Sequence, residues 1–403
     1  MTNNILVLTY WSYSDALIQT YTLPYVRIIR KQVSEDSKIY LVTLDKDGTN
    51  GVQDLHGSGI QNISFIYKGY GISALFAWIK NIWVLKRLIH KNQIDTIHAY
   101  CTLAGMFGYI LSLLCGKKLI IDSYEPHAEA MVENGTWSRR GLSFLILWFF
   151  EKRQSQRASL VIAATASMRQ YAHEKYHAEF RRFYVKPACV DLELFTLEKS
   201  KKPELLKALQ LEDKLVCLYA GKFGGIYLKE EVFDFFQSAY AFWKDELRIM
   251  LLTAHSENEV LSMASKFNLP ANIFVIKFVT HNLIADYMGL ADFAITPVKS
   301  LPSKRYCTPI KDGEYWAMGL PVIITSGISD DSEIIENNQI GYVWKNTCRE
   351  EYEKSIHVIH TLLSDNREVL SKRIREFAIE NRNFSIAESI YKEIYGPDAA
   401  PLT

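Results

Sequence analysis

TPIKDGEYWAMGLPVIIT, residues 308–325, decides the reading of the fold. A polar loop leads into a short helix around 314–318, a Gly-Leu-Pro turn ends it, and a β-branched apolar run follows as a buried strand. Helix followed by buried strand is half of a βαβ repeat, and it holds a carboxylate, Glu314, near a strand end. Working outward, the same rhythm appears upstream in LVCLYAG (215–221), RIMLLTA (248–254), NIFVIKF (272–278) and FAITPV (293–298). Beyond a polar stretch at 198–202 it appears again in ILVLTY (5–10), KIYLVTL (38–44), NISFIY (62–67), TIHAY (96–100), KLIID (118–122) and LVIAA (160–164). Short apolar runs separated by helical patterns predict an α/β fold with parallel sheets wrapped by helices.

Two such series predict two Rossmann-like, doubly wound domains in tandem, over residues 1–190 and 191–375. The join falls near KPACVDLELF (186–195), where Pro187 follows a strand-like FYV. Open α/β sheets bind ligands at the carboxyl ends of their strands, so two of them are expected to face each other across a cleft. The remaining residues, 376–403, lie in a helical pattern, IREFAIENRNFSIAESIYKEIYG (374–396), with Phe, Ile and Tyr on one side. It either crosses back to the first domain or packs on its own.

Composition narrows the function. A chain of 403 residues, 48% apolar and 23% charged, has ordinary globular composition and leaves no room for a long disordered region. With 46 basic and 45 acidic side chains the net charge is +1, which excludes the basic footprint of a nucleic-acid binder and makes any phosphate chemistry local. Six dispersed cysteines without a CxxC pair predict buried thiols, no disulfide and no structural zinc. MTNNILVLTY enters a strand-like run without signal-peptide features, so a cytoplasmic protein is expected. The longest apolar run, residues 141–150, is half of the roughly 20 residues that a membrane span needs.

Several stretches carry candidate chemistry. Glu314 can accept from both hydroxyls of a ribose, while Thr308, Lys311 and the open N–H groups of the helix start can receive a diphosphate. The same position also suits a solvated first-turn glutamate favoured by the helix dipole. In LYAGKFGGIYLKEE (218–231), Gly221, Gly224 and Gly225 permit close backbone approach beside Lys222 and Lys229, although an ordinary strand-to-helix turn has the same composition. IIDSYEPHAEAMVENGTW (120–137) gathers Asp122, Glu125, His127, Glu129 and Glu133 in a loop-like stretch after a strand. Asp45-Lys46-Asp47 spells D-x-D, a metal-binding pattern in other folds, but it runs into Gly48 and reads better as a polar turn. Helical stretches at 74–91 and 142–153 mix Trp, Phe and Leu with Lys and Arg, as peripheral membrane helices do and as core helices also do.

GEYWAMGLPVI resembles the E-A-M-A-C-G-x-P-V-I segment of the retaining nucleotide-sugar glycosyltransferases of family 4, which have the GT-B fold. Three further stretches resemble that family in the right order: the first strand and loop with TYWSYSDALIQTYTLPYVRIIRK, the hinge KPACVDLELF, and the Gly-rich LYAGKFGGIYLKEE. The resemblance implies that Lys222 and Lys229 hold the donor diphosphate, that Glu314 holds the ribose, and that Val279 and Thr280, before His281, touch the base. It places the loop after the 118–122 strand at the donor sugar, so His127 is expected to touch sugar or acceptor with Glu129 beside it; Ser14 and Asp15 belong to the acceptor loop. The family's E-x7-E pattern is broken, because Tyr306 stands where the first glutamate falls, and Ala188 and Cys189 replace the hinge asparagine and glycine.

The implied activity is hexosyl transfer with retention from a nucleotide diphosphate sugar, as co-substrate, to a hydroxyl of a saccharide or lipid-linked acceptor, in bacterial polysaccharide or glycolipid assembly. No cofactor and no obligatory metal are expected, nor a nucleic-acid partner; peripheral contact with the inner face of the membrane is compatible. The alternatives are a catalytically silent partner subunit of the same fold and a UDP-sugar 2-epimerase.

Overall fold

The computed structural model describes residues 3–46, 51–55, 57–69 and 71–400, without the side chain of Ile72. The chain forms two compact units, Met1–Pro187 with Ser385–Thr403, and Ala188–Phe384.

The first unit contains β1 (Asn4–Leu8), α1 (Leu23–Gln32), β2 (Ile39–Asp45), β3 (Gly51–Asp54), β4 (Ile60–Ile66), α2 (Ile72–Lys91), β5 (Ile94–Tyr100) and α3 (Cys101–Cys115). It continues with β6 (Lys118–Tyr124), α4 (His127–Glu133), α5 (Leu142–Arg157), β7 (Leu160–Ala163), α6 (Ser167–Tyr176) and β8 (Phe183–Val185). The strands form one sheet in the order β3-β4-β2-β1-β5-β6-β7-β8. All its pairings are parallel except β3 with β4. Central strands read as unbroken apolar runs because both faces are covered: Ile5, Leu6, Val7 and Leu8 are all buried.

The second unit contains α7 (Pro203–Ala208), β9 (Leu215–Ala220), α8 (Glu230–Trp243), β10 (Leu247–Leu252), α9 (Glu257–Lys266), β11 (Phe274–Lys277), α10 (His281–Met288) and β12 (Phe293–Thr296). It is completed by α11 (Ile310–Ala317), β13 (Val322–Thr325), α12 (Asp331–Asn338), β14 (Gly341–Trp344), α13 (Arg349–Ser364) and α14 (Arg367–Asn381), before α15 (Phe384–Tyr395). Its sheet is wholly parallel, in the order β11-β10-β9-β12-β13-β14. The strand order reverses at β9, next to β12, which is the switch point where doubly wound sheets take ligands. Phe233, Phe235, Phe236, Trp316 and Trp344 fill one continuous core.

Four local expectations need correction. The stretch after β6 is not a loop, because residues 127–133 close into α4. The helix beside Glu314 begins earlier, at Ile310, so Glu314 lies in its second turn rather than its first. The helical pattern at 374–396 is two helices: Arg382 leaves α14 with φ −131°, and its carbonyl accepts from Val190 N at 2.8 Å, which stops the helix. Two short strands were missed, β3, whose GVQD residues are all exposed and carry no apolar alternation, and β14.

Candidate functional site

β9 delivers the chain to Gly221, and α11 stands beside it because Ala220 N donates to the Tyr315 hydroxyl at 2.9 Å. Gly221 N in turn donates to Leu252 O at 2.9 Å. The loop then turns back through Gly224 and Gly225, at φ +82° and +66°, a left-handed region where a Cβ is costly. Leu228 N bonds Pro297 O and Lys299 N bonds Ile226 O, pinning the returning arm to the exit of β12. Two side chains fix the outgoing arm: the Tyr219 hydroxyl donates to Lys222 O at 2.5 Å, and His255 Nε2 accepts from Phe223 N at 3.1 Å. The Lys222 backbone is thereby held while its side chain is exposed.

Lys311, in the first turn of α11, reaches over this loop. A Cβ placed on Gly221 would come within 2.9 Å of the Lys311 Nζ, so glycine is what lets the ammonium lie against the backbone. The ammonium also sits 5.0 Å from the centre of the Tyr227 ring. Pro309, which precedes α11, offers no side-chain cap, so the leading N–H groups of the helix stay open. One turn on is Glu314, partly buried and, among the described residues, without a hydrogen bond or ion pair to its carboxylate. Burial pushes its pKa up to about 7, against the pull of the Lys311 charge. The first-turn acid is Asp312 instead, and it is wholly internal: Thr296 Oγ1 donates to it, and burial beside Asp331 raises its pKa well above the usual range. Arg382 bonds Asp331 and stacks over Trp316 at 5.0 Å, which ties this core to the end of α14.

Gly221, Lys222, Lys311 and Glu314 are thus gathered at the carboxyl end of β9. The other expected donor residues lie further out. Thr308 Oγ1 is paired with Ser329 Oγ at 3.2 Å. Lys229 is exposed at the start of α8, its N–H bonded to Glu231. Val279 and Thr280 follow β11, which β10 separates from β9, and the Thr280 hydroxyl bonds Asn282 at 2.6 Å. Tyr306 ends a tight turn at Pro302–Tyr306, with the Arg305 guanidinium 5.8 Å from its ring centre.

In the first unit, Ser14 and Asp15 lie in an exposed turn after β1. Asp15 Oδ1 accepts from Leu17 N at 2.8 Å, and Ser14 Oγ meets Ser12 Oγ at 3.2 Å. Asp45, the first acid of D-x-D, holds that turn in place by accepting from Ser12 Oγ at 2.6 Å and Tyr13 N at 2.8 Å, with Ser64 on its other oxygen; Asp47 lies outside the described residues. His127 opens α4, with Nδ1 3.3 Å from Glu125 Oε1. Glu129 turns inward: it is 8% exposed, accepts from the Tyr171 hydroxyl at 2.6 Å and faces Arg139 at 3.5 Å. Asp122 is also internal. Burial raises its carboxyl, but the Lys186 ammonium at 3.0 Å and bonds from His98 and Tyr391 outweigh that and hold it well below the usual carboxylate range. Of the acids in and after β6, Asp122 and Glu129 are thus bonded internally, while Glu125 pairs with His127.

Tyr219, Tyr227 and His255 were missed by sequence reasoning. Of these His255 was the most legible, as the first ionisable residue after the RIMLLTA strand and so at a carboxyl edge.

Comparison with known proteins agrees with this architecture. The model of the glycosyl transferase 4-like domain matches residues 27–188. The fold is similar over nearly the whole chain to sucrose-phosphate synthase from Thermosynechococcus elongatus, with a TM-score of 0.74, 14% identity and 98% of each chain covered. It is similar to a Rickettsia africae glycosyltransferase (TM-score 0.68, 17% identity, 98% of each chain). It is also similar to Anabaena HepE in complex with UDP-glucose (TM-score 0.69, 15% identity, 97% of this chain and 98% of that one). No curated protein matches the chain in sequence. The two Rossmann-like units define the class as GT-B. Residues 27–188 are similar to the glycosyl transferase 4-like domain, and the fold of the chain is that of the GT-B glycosyltransferases.

Proposed function

We propose that the protein transfers a hexosyl group, with retention, from a nucleotide diphosphate sugar to a hydroxyl of a saccharide or lipid-linked acceptor in polysaccharide or glycolipid assembly. The observation that carries this reading is the convergence of Lys311 on the Gly221 backbone, one helical turn from a Glu314 that has no partner among the described residues, at the switch point of the second sheet. Fixed cations and open backbone N–H groups suit a diphosphate, and a carboxylate without a protein partner suits two vicinal hydroxyls. A relative in fold, HepE, has been seen with UDP-glucose, which supports the donor class.

In the proposed reaction the acceptor oxygen bonds to the anomeric carbon on the face that the diphosphate leaves. The carbon–oxygen bond to the diphosphate breaks with its electron pair on the phosphate oxygen, and that oxygen takes the proton of the acceptor. Lys222 and Lys311 offset the charge that develops there, so the protein contributes mainly positioning and electrostatics. His127, opening α4 in the first unit, is assigned to the sugar or acceptor, and the Ser14–Asp15 turn to the acceptor. No obligatory metal enters the scheme.

A thermal-shift panel of UDP, GDP and ADP with their sugar conjugates tests this, since a ligand of the native state raises apparent stability by mass action. One base is expected to raise the transition with or without EDTA, and Lys222→Ala and Glu314→Ala are expected to abolish the shift. Absence of a shift with every nucleotide would overturn the donor site. Tyr306, in place of a family glutamate, favours a second reading, a partner subunit that binds donor without turning it over; donor binding without product across acceptors would select it.

A further inference from the structure

Three neighbouring helices of the first unit expose an apolar face that its fold leaves uncovered. α3 packs against both α2 and α5, with Trp78 of α2 stacked on Phe107 of α3 at 3.9 Å. Outward from this seam α2 presents Leu75, Phe76, Ile79 and Trp83, while α5 presents Leu142, Leu145, Ile146 and Phe149; Phe76 is 67% and Leu142 76% exposed. Between the two helices runs an apolar groove of about 570 Å³, floored by Trp78, Ile82, Leu103 and Met106. Its far end reaches Tyr10 and Tyr67, just past the carboxyl ends of β1 and β4. Exposed apolar residues scattered singly need no explanation, but a contiguous patch with a groove marks an interaction surface.

Charge identifies the partner. Residues 72–91, 101–118 and 137–150 hold eight Lys and Arg and no Asp or Glu, in a chain whose totals are 46 and 45. Cations lie over exposed rings on both outer helices: Lys86 is 5.1 Å from the Trp83 ring, and Arg153, further along α5, is 5.3 Å from that of Phe149. Apolar side chains flanked by cations whose stems lie along them form the pattern of a helix seated in a lipid interface, with tails below and anionic headgroups beside it. α2 and α3 carry no acid at all and the one acid of α5, Glu151, is fully buried, so this face offers cations without carboxylates, which a protein partner of balanced charge would not require.

We infer that the α2–α5 face docks on a bilayer rich in anionic phospholipid, with the groove set to admit an acyl chain. Docking would bring the carboxyl ends of β1 and β4 to the headgroup level, where a lipid-borne acceptor is presented. The inference does not depend on the transfer reaction, since vesicle binding needs neither donor nor turnover.

Co-sedimentation of the full chain with phosphatidylcholine vesicles, with and without phosphatidylglycerol, tests it. Binding to the anionic vesicles is expected to exceed that to neutral ones by roughly tenfold or more and to fall with added salt. Phe76→Ser with Leu142→Ser is expected to weaken it by a similar factor, and so is Lys80→Glu with Arg87→Glu; the exposure of these side chains should leave circular dichroism and melting unchanged. The proposal is overturned if the chain stays in the supernatant, if it binds neutral vesicles equally, or if either double variant binds like the parent. It is likewise overturned if light scattering shows a dimer that the apolar double variant dissociates, since the face would then be covered by a second copy.

Discussion

Asp122 and Glu314 stand near the carboxyl edges of two sheets of the same type, yet their surroundings are opposite. Asp122 is fully buried with a cation at 3.0 Å and hydroxyl and imidazole donors around it, and its carboxyl is held low. Glu314 is only partly buried, has no bonded partner among the described residues and is pushed up to about 7. A buried carboxylate surrounded by donors is already satisfied and serves stability; one left short of donors at a strand end is available for a ligand. The Asp122 cluster also includes Tyr100, Tyr391 and Tyr395, and so fastens α15 to the first sheet through His98 and Lys186.

The comparison is broken most severely at Asp122. Asp122→Asn would take from the buried Lys186 ammonium the carboxylate it is bonded to and is expected to cost about 3–5 kcal/mol in urea unfolding. The native carboxyl lies below its unfolded value, so its contribution is complete above the unfolded pKa and fades as pH falls below it; a parent that loses no more stability in acid than the Asn variant would refute this. Next in size, Glu314→Ala is expected to weaken nucleotide binding by roughly 10- to 100-fold while leaving the melting temperature unchanged or raised, the reverse of the Asp122 result. Isothermal titration and calorimetry on the one variant separate the two roles.

A third carboxylate sharpens the contrast. Glu151 is fully buried, accepts from Ala128 N at 2.9 Å and the Tyr176 hydroxyl at 2.8 Å, and burial lifts it to about 7, since no cation among the described residues is bonded to it. The folded pKa exceeds the unfolded one, so this group costs stability as pH rises from about 4.5 through 7. Glu151→Gln, which can keep both bonds, is expected to recover about 2 kcal/mol at pH 8 and nothing at pH 4, measured by denaturant titration at each pH. The smallest effect concerns Glu314 in the parent: nucleotide affinity should rise severalfold from pH 6 to 8 as the carboxylate ionises, and Glu314→Gln should flatten that profile. Lys311→Ala, which removes the lowering charge, should move the rise to higher pH.

The strand rhythm, the two-sheet organisation and the Gly-rich turn were legible because parallel strands buried on both faces must be apolar runs and left-handed turns select glycine. β3 was invisible because it lies at an exposed edge, and the break at Arg382 because helical periodicity does not record the Val190 bond that interrupts it. Lys311 and Glu314 were found from their motif, but their relation to Gly221 was not, since it depends on Tyr315 anchoring α11 to β9 across 95 residues of sequence. The acids after β6 show the limit most plainly. Sequence determined that Asp122, His127 and Glu129 stand together at the end of a strand, as local order must. Only the tertiary structure decided that Lys186 and Tyr171, from distant segments, engage Asp122 and Glu129, because burial and pairing are properties of neighbours in space.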